Sequence, residues 1–187
     1  PGMKHLRDLN LPVIEDCAGS FFSSDEEDTI GKTGDFVIYS FPKMFPIQVG
    51  GILVAQDKIK DIKVMDQQPG IVRYMKNVLS KYIKEKDSII GRRITNYMTL
   101  RSMFDTLGLP ERFVLAEGNV PGVFMFKTGN YKIDLPELRK HFWAHGIQSS
   151  VFYGDEAYFI PVHQALTALD LEYFYEVMKV FLKKNCQ

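Results

Sequence analysis

The sequence predicts an α/β fold, with a mixed or mostly parallel sheet in the first half and a small α/β unit at the carboxyl end. Three observations carry this reading. Two short apolar runs rich in Val and Ile, Phe36–Phe41 and Ile52–Ala55, have the length and composition of buried strands. Longer stretches repeat apolar residues three and four apart, the spacing of a helix that buries one face. From residue 88 onward, helical and strand patterns alternate.

Composition narrows the class. The chain has 187 residues, room for one domain or two small ones, with 45% apolar and 13% aromatic residues to fill a core. Lys plus Arg equals Asp plus Glu at 23 each, a balance that argues against a nucleic-acid surface, which needs clustered excess positive charge. No apolar run reaches the length of a membrane span, and no signal peptide opens the chain. Cys17 and Cys186 make no disulfide framework, so a reducing, cytoplasmic setting is expected, and no metal site is.

Residues 3 to 9 suggest a helix, and Pro12-Val13-Ile14 a short strand that ends on Glu15 and Asp16. In an open parallel sheet, ligands bind beyond the carboxyl ends of strands, so a carboxylate there is either a helix cap or a ligand group. Cys17-Ala18-Gly19-Ser20 is small-residue chain suited to close approach, Asp25–Asp28 a solvated loop, and Gly31–Asp35 a turn into the central strand. The loop after that strand holds Ser40, Lys43, Pro42, Pro46 and the pair Gly50-Gly51. Loops that end strands are where chemistry is mounted. Lys43, flanked by Phe41, Met44 and Phe45, is expected in apolar surroundings, where burial lowers an amine's pKa and enlarges its nucleophilic fraction. The other reading is a surface lysine in a strand connection.

A polar connection runs through Asp66 to Pro69-Gly70. Ile71, Tyr74, Met75, Val78, Leu79, Tyr82 and Ile83 predict an amphipathic helix over 71–86, and a second helix over about 88–107 turns Ile94, Tyr97, Met98 and Phe104 inward before Gly108 and Pro110 stop it. Val123–Lys127 is a strand. Asp134-Leu-Pro-Glu137 has the form of a capping box, opening a helix with Leu138, Phe142 and Trp143 inward and Gly146 at its end. Ile147–Tyr153 is a further strand. Thr167 with Asp170 opens the last helix, whose apolar face is Leu171, Phe174, Met178, Phe181 and Leu182, and His163 before it is read as structural or solvent-facing. The chain thus divides into residues 1–87, carrying the strand-end loops, and a small α/β domain over 88–187.

Val13-Ile-Glu15-Asp16-Cys-Ala18, then Gly31-Lys-Thr-Gly34-Asp35, then Ser40-Phe41 with Lys43 and Gly50-Gly51 together resemble the DegT/DnrJ/StrS family of sugar-nucleotide aminotransferases. Leu135–Arg139, Gly146-Ile147 and Ile160–Thr167 are similar to the family's small domain. The resemblance implies a partial type I fold, aspartate aminotransferase-like, comprising the later part of the large domain plus the small carboxyl-terminal domain. It implies pyridoxal 5′-phosphate (PLP) as cofactor. Asp16 matches the aspartate at the pyridine nitrogen, Ala18 the small residue at the ring face, Ser40 the phosphate-binding serine, and Lys43 the lysine that anchors the cofactor and moves the proton. The implied substrates are a keto-sugar nucleotide and an amino acid, by resemblance glutamate. The implied setting is surface-polysaccharide or antibiotic-sugar synthesis by a homodimer. A lysine at position 43 fits transamination rather than the dehydratase branch, which has histidine there.

The departures are specific. Pro42 alone separates Phe41 from Lys43, where the family's loop is longer; Gly19 stands where the family has Gln or His; Gln48-Val49 replaces Gly-Glu; and Gly70–Arg73 lacks the family's asparagine. The family's amino-terminal segment, which supplies further phosphate contacts and a ring-stacking aromatic, has no counterpart in the sequence, so weak PLP binding by this chain is expected. A non-catalytic member that keeps the fold for interaction or regulation is the alternative.

Overall fold

The computed structural model describes residue 6 and residues 8–55 and 68–185. Most of the helix expected over 3–9, most of the connection through Asp66, and Cys186 lie outside the described residues. The chain clusters into two compact units: Pro1–Asp87 with Ala116–Val120, and Ser88–Leu115 with Pro121–Gln187.

The first unit is built on a three-stranded mixed sheet of β1 (Ile14–Asp16), β2 (Phe36–Ser40) and β3 (Gly51–Ala55) in the order β1-β2-β3. β1 and β2 run parallel, with Ile14 opposite Phe36 and Asp16 opposite Ile38; β2 and β3 run antiparallel, with Ser40 opposite Gly51. Two carboxylates join the parallel pair. Asp35 accepts the Val13 N–H at 2.7 Å, and Glu15 reaches the turn that precedes β2. Helix α1 (Pro69–Tyr82) lays Met75, Val78, Leu79 and Tyr82 against a buried cluster of Phe41, Met44, Phe45 and Ile47, with Phe21 and Phe22 on its margin. Residues 116–120 belong here because the Ser24 N–H donates to Gly118 O and the Val120 N–H to Ser23 Oγ.

The second unit holds most of helix α2 (Lys86–Asp105), then β4 (Val123–Lys127), α3 (Leu135–Ala144), β5 (Ser150–Phe152), β6 (Ala157–Pro161) and α4 (Ala168–Asn185). Its sheet is antiparallel in the order β4-β6-β5. Phe124, Phe126, Tyr158 and Ile160 form the inward face and pack with Phe104, Leu138, Phe142, Phe174 and Met178. The face expected for α4 is the one it buries, with Val177 added.

Four points of the sequence reading are corrected. β6, the middle strand of this sheet, is a strand that the sequence reading does not assign. Pro161 ends it opposite Val123, at the sheet's margin, where a missing N–H is tolerated. The strand over 147–153 is shorter, Ser150–Phe152. On α2, Ile94 and Met98 face solvent while Arg93 and Asn96 are buried. The stripe is turned because these two polar side chains find partners inside: Arg93 Nε donates to Gln164 Oε1 at 2.8 Å and Nη1 to Pro121 O at 3.2 Å, and Asn96 Nδ2 donates to His163 O at 3.0 Å. Burial pulls the Arg93 guanidinium down to about 10. Trp143, read as inward, is 58% exposed.

Candidate functional site

Side chains alternate across a strand, so the neighbouring carboxylates at the end of β1 point to opposite faces. Glu15 is 8% exposed. Its Oε1 accepts the Gly31 N–H at 2.6 Å, its Oε2 accepts those of Thr33 and Gly34 at 3.0 Å each, and the Cys17 thiol lies 3.5 Å from Oε1. Burial acts to raise its pKa, but the backbone N–H groups of Gly31, Gly34 and Thr33 outweigh it and hold the carboxyl below 4.5. Glu15 is therefore a structural anion that clamps the 31–34 turn. The turn is shaped for it: at Gly34 a Cβ would lie 2.7 Å from Glu15 Cβ.

Asp16 is exposed on the other face. Its Oδ1 accepts the Ala18 N–H at 2.9 Å, and its Oδ2 has no partner among the described residues. Because Asp16 sits opposite Ile38 in the parallel register, it shares a face with Ile38 and, one strand repeat further, with Ser40. The parallel pairing also sets the carboxyl ends of β1 and β2 at the same sheet edge, so Ala18 and Lys43 follow from that edge too. Ser40 is half-buried and precedes a 3₁₀ turn, Phe41–Lys43, which its hydroxyl does not cap.

Lys43 closes that turn and is exposed, while Phe41, Met44 and Phe45 around it are buried. The expectation of an apolar environment thus holds for its neighbours and fails for the lysine. With Pro42 as the sole spacer, one tight turn consumes the loop and aims position 43 outward. Gly50 and Gly51 then return the chain into β3. Gly50 has φ +95°, and a Cβ there would lie 2.2 Å from Met75 Sδ; at Gly51 a Cβ would lie 2.2 Å from Tyr39 O. Gly50 is demanded by its positive φ and Gly51 by the close approach of the Tyr39 backbone.

The sequence reading gave a role to Asp16 and none to Glu15, and it missed the Arg93, Asn96 and Gln164 set. The signal for the first was the strand period combined with a turn rich in backbone N–H groups. For the second it was polar residues recurring three apart, 93 and 96, within a helix that is otherwise core.

A three-stranded mixed sheet followed by a small α/β unit is an arrangement shared with solved structures of the aminotransferase fold. Residues 3–86 match the model of the DegT/DnrJ/EryC1/StrS aminotransferase family. Among solved structures, an aminotransferase TlmJ from Streptoalloteichus hindustanus aligns with TM-score 0.75 at 16% identity, over 97% of this chain and 61% of its own. A DegT DnrJ EryC1 StrS aminotransferase from Brucella abortus aligns with TM-score 0.68 at 15% identity, over 97% and 61%. Spr1654 from Streptococcus pneumoniae, in a PMP-form, aligns with TM-score 0.71 at 15% identity, over 93% and 59%. The chain thus spans about three-fifths of the length of these relatives. No curated protein matches it. No helix among the described residues is long and apolar enough to cross a membrane.

Proposed function

We propose that this chain is part of a PLP-dependent aminotransferase that moves an amino group from an amino acid, by resemblance glutamate, to a keto-sugar nucleotide. The setting would be cytoplasmic sugar or surface-polysaccharide synthesis by a homodimer. The observation that carries the reading is the placement of Asp16 and Ser40 on one face at the shared carboxyl edge of β1 and β2, with Lys43 one short turn beyond.

The donor set fits the cofactor. Among the described residues, Asp16 keeps one carboxylate oxygen without a partner and the Ser40 hydroxyl makes no cap bond, so an anion and a hydroxyl are available where a pyridinium and a phosphate need them. When bound, PLP supplies an electron sink for the carbon that loses its proton. Asp16 would hold the ring nitrogen protonated, and its Oδ1 bond to Ala18 N fixes the carboxylate's direction. Ser40 would donate to the phosphate, Ala18 would leave room at the ring face, and Lys43 would anchor the cofactor and carry the proton to and from the substrate carbon. The family match over this segment and a relative solved in both PLP- and PMP-forms support the reading.

A second reading, a non-catalytic member kept for interaction, is favoured by one observation: the shortened loop leaves Lys43 exposed in a single 3₁₀ turn. Visible absorbance separates the two. The chain, and a version extended at the amino terminus to the length of its relatives, are each mixed with PLP. A protein-bound visible band that Lys43→Ala abolishes and Asp16→Asn shifts supports the aminotransferase. No band in the extended protein would leave the non-catalytic reading standing.

A further inference from the structure

Glu15 is a buried anion to which the proposed chemistry gives no part, and its bonds tie together pieces of chain that are distant in sequence. From the middle of β1 it accepts the N–H groups of Gly31 at 2.6 Å and of Thr33 and Gly34 at 3.0 Å each. In the parallel register Glu15 stands opposite Val37, so the 31–34 turn lies against the face that carries Glu15, Val37 and Tyr39. The fit is close: a Cβ on Gly31 would overlap Tyr39 Oη. Asp16, Ile38 and Ser40 occupy the opposite face. A second tie runs the other way, from Asp35 after the turn, which accepts the Val13 N–H before β1 at 2.7 Å. Past Asp16, the Cys17 N–H donates to Ile38 O at 2.9 Å and the Ala18 N–H to Asp16 Oδ1 at 2.9 Å.

We propose that Glu15 is a positioning residue for Asp16: by holding the 31–34 turn against the back of the sheet, it fixes the rotation of the end of β1 and so the direction in which the Asp16 carboxylate leaves the opposite face. The inference rests on the proposed place of Asp16 at the cofactor's ring nitrogen and adds a residue to that site. Adjacent residues of a strand leave on opposite faces, so the side chain at 15 cannot swing without turning the one at 16. β1 is only three residues long and has few ladder bonds of its own to resist twisting. The bonds that Glu15 adds are N–H groups on a carboxylate, about twice as strong as neutral ones. An anion kept for stability alone would serve at any position under the turn. At position 15 its hold passes directly to Asp16.

Two readouts test this, the first without cofactor. In the isotope-labelled chain, hydrogen exchange at the Ala18 amide reports the bond to Asp16 Oδ1. Glu15→Gln should speed exchange at Ala18, Gly31, Thr33 and Gly34 about tenfold, and leave the amides that pair β2 with β3 unchanged. Equal acceleration throughout the first unit would mean that Glu15 only stabilises it, and overturns the proposal. The second readout uses the extended protein and equilibrium dialysis, comparing PLP with an analogue that has C–H in place of the ring nitrogen. The parent should prefer PLP about tenfold, Asp16→Asn should show no preference, and Glu15→Gln should retain about threefold. A Glu15→Gln variant that folds and keeps the parent's full preference overturns the inference while leaving the role of Asp16 intact. A parent with no preference removes the role of Asp16 itself, and the inference falls with it. Should Glu15→Gln fail to fold, Glu15→Asp, an anion one methylene too short to reach all three donors, should show the same pattern in both readouts.

Discussion

Two adjacent carboxylates with opposite fates set the chemistry of the first unit. Glu15 is turned in and accepts three backbone N–H groups; Asp16 is turned out and accepts one. A carboxylate whose pKa is lowered by folding stabilises the folded chain fully above its ordinary value of 4.5, and that contribution is lost as pH falls through its folded value. Glu15→Gln should therefore cost about 2 kcal/mol near pH 7, because an amide nitrogen would then face donors. It should also flatten the acid limb of stability. Urea unfolding at a series of pH values checks both, and a variant with the parent's acid limb would show that Glu15 is not the group responsible. The sequence was legible here up to a point. The motif marked both carboxylates, and strand alternation said they must part. Which one faced inward depended on the Gly31–Gly34 turn, many residues later, and no local pattern carries that. The same limit explains Lys43: its apolar neighbours were visible, but the direction of its side chain follows from a one-residue spacer forming a tight turn.

Among the elements, those with strong local signals were legible and those decided by partners were not. The two helices of the second unit with caps began where the caps said. Thr167 and Asp170 bond reciprocally, with Thr167 N donating to Asp170 Oδ2 at 2.7 Å and Asp170 N to Thr167 Oγ1 at 3.3 Å. Asp134 Oδ1 accepts the Glu137 N–H at 3.0 Å, while the Glu137 side chain turns to Lys140 rather than back to the cap, so the expected box is half formed. α2 was misread because its inward stripe includes Arg93 and Asn96, which burial allows only once Gln164, Pro121 O and His163 O are in place. A contrast between two substitutions tests this division of labour. Thr167→Ala removes one cap and should cost about 1 kcal/mol. Gly51→Ala forces a Cβ toward Tyr39 O and should cost more, about 1–3 kcal/mol, by pushing β3 away from β2. Denaturant midpoints of the two variants settle the order; equal costs would mean that the hairpin relaxes freely.

At the scale of the whole chain, the two units have unequal cores. Among the described residues, the cluster in the second unit gathers eighteen buried side chains, several fully enclosed, while the cluster under Lys43 gathers four. The first unit's sheet also leaves Ile14 63% and Leu53 53% exposed on one face. Apolar burial is the main favourable term in folding, at roughly 25 cal/mol per Å², so the first unit has the smaller reserve against its chain entropy. This chain should therefore unfold in two steps, the first unit before the second. The probes are already placed. Trp143 lies in the second unit and reports it alone, whereas far-ultraviolet circular dichroism reads α1 together with α2, α3 and α4. In urea, the ellipticity should begin to fall before the tryptophan emission moves, and the emission should follow one later transition. Coincident curves from the two probes would show one cooperative structure, and the difference between the two cores would then have no thermodynamic expression.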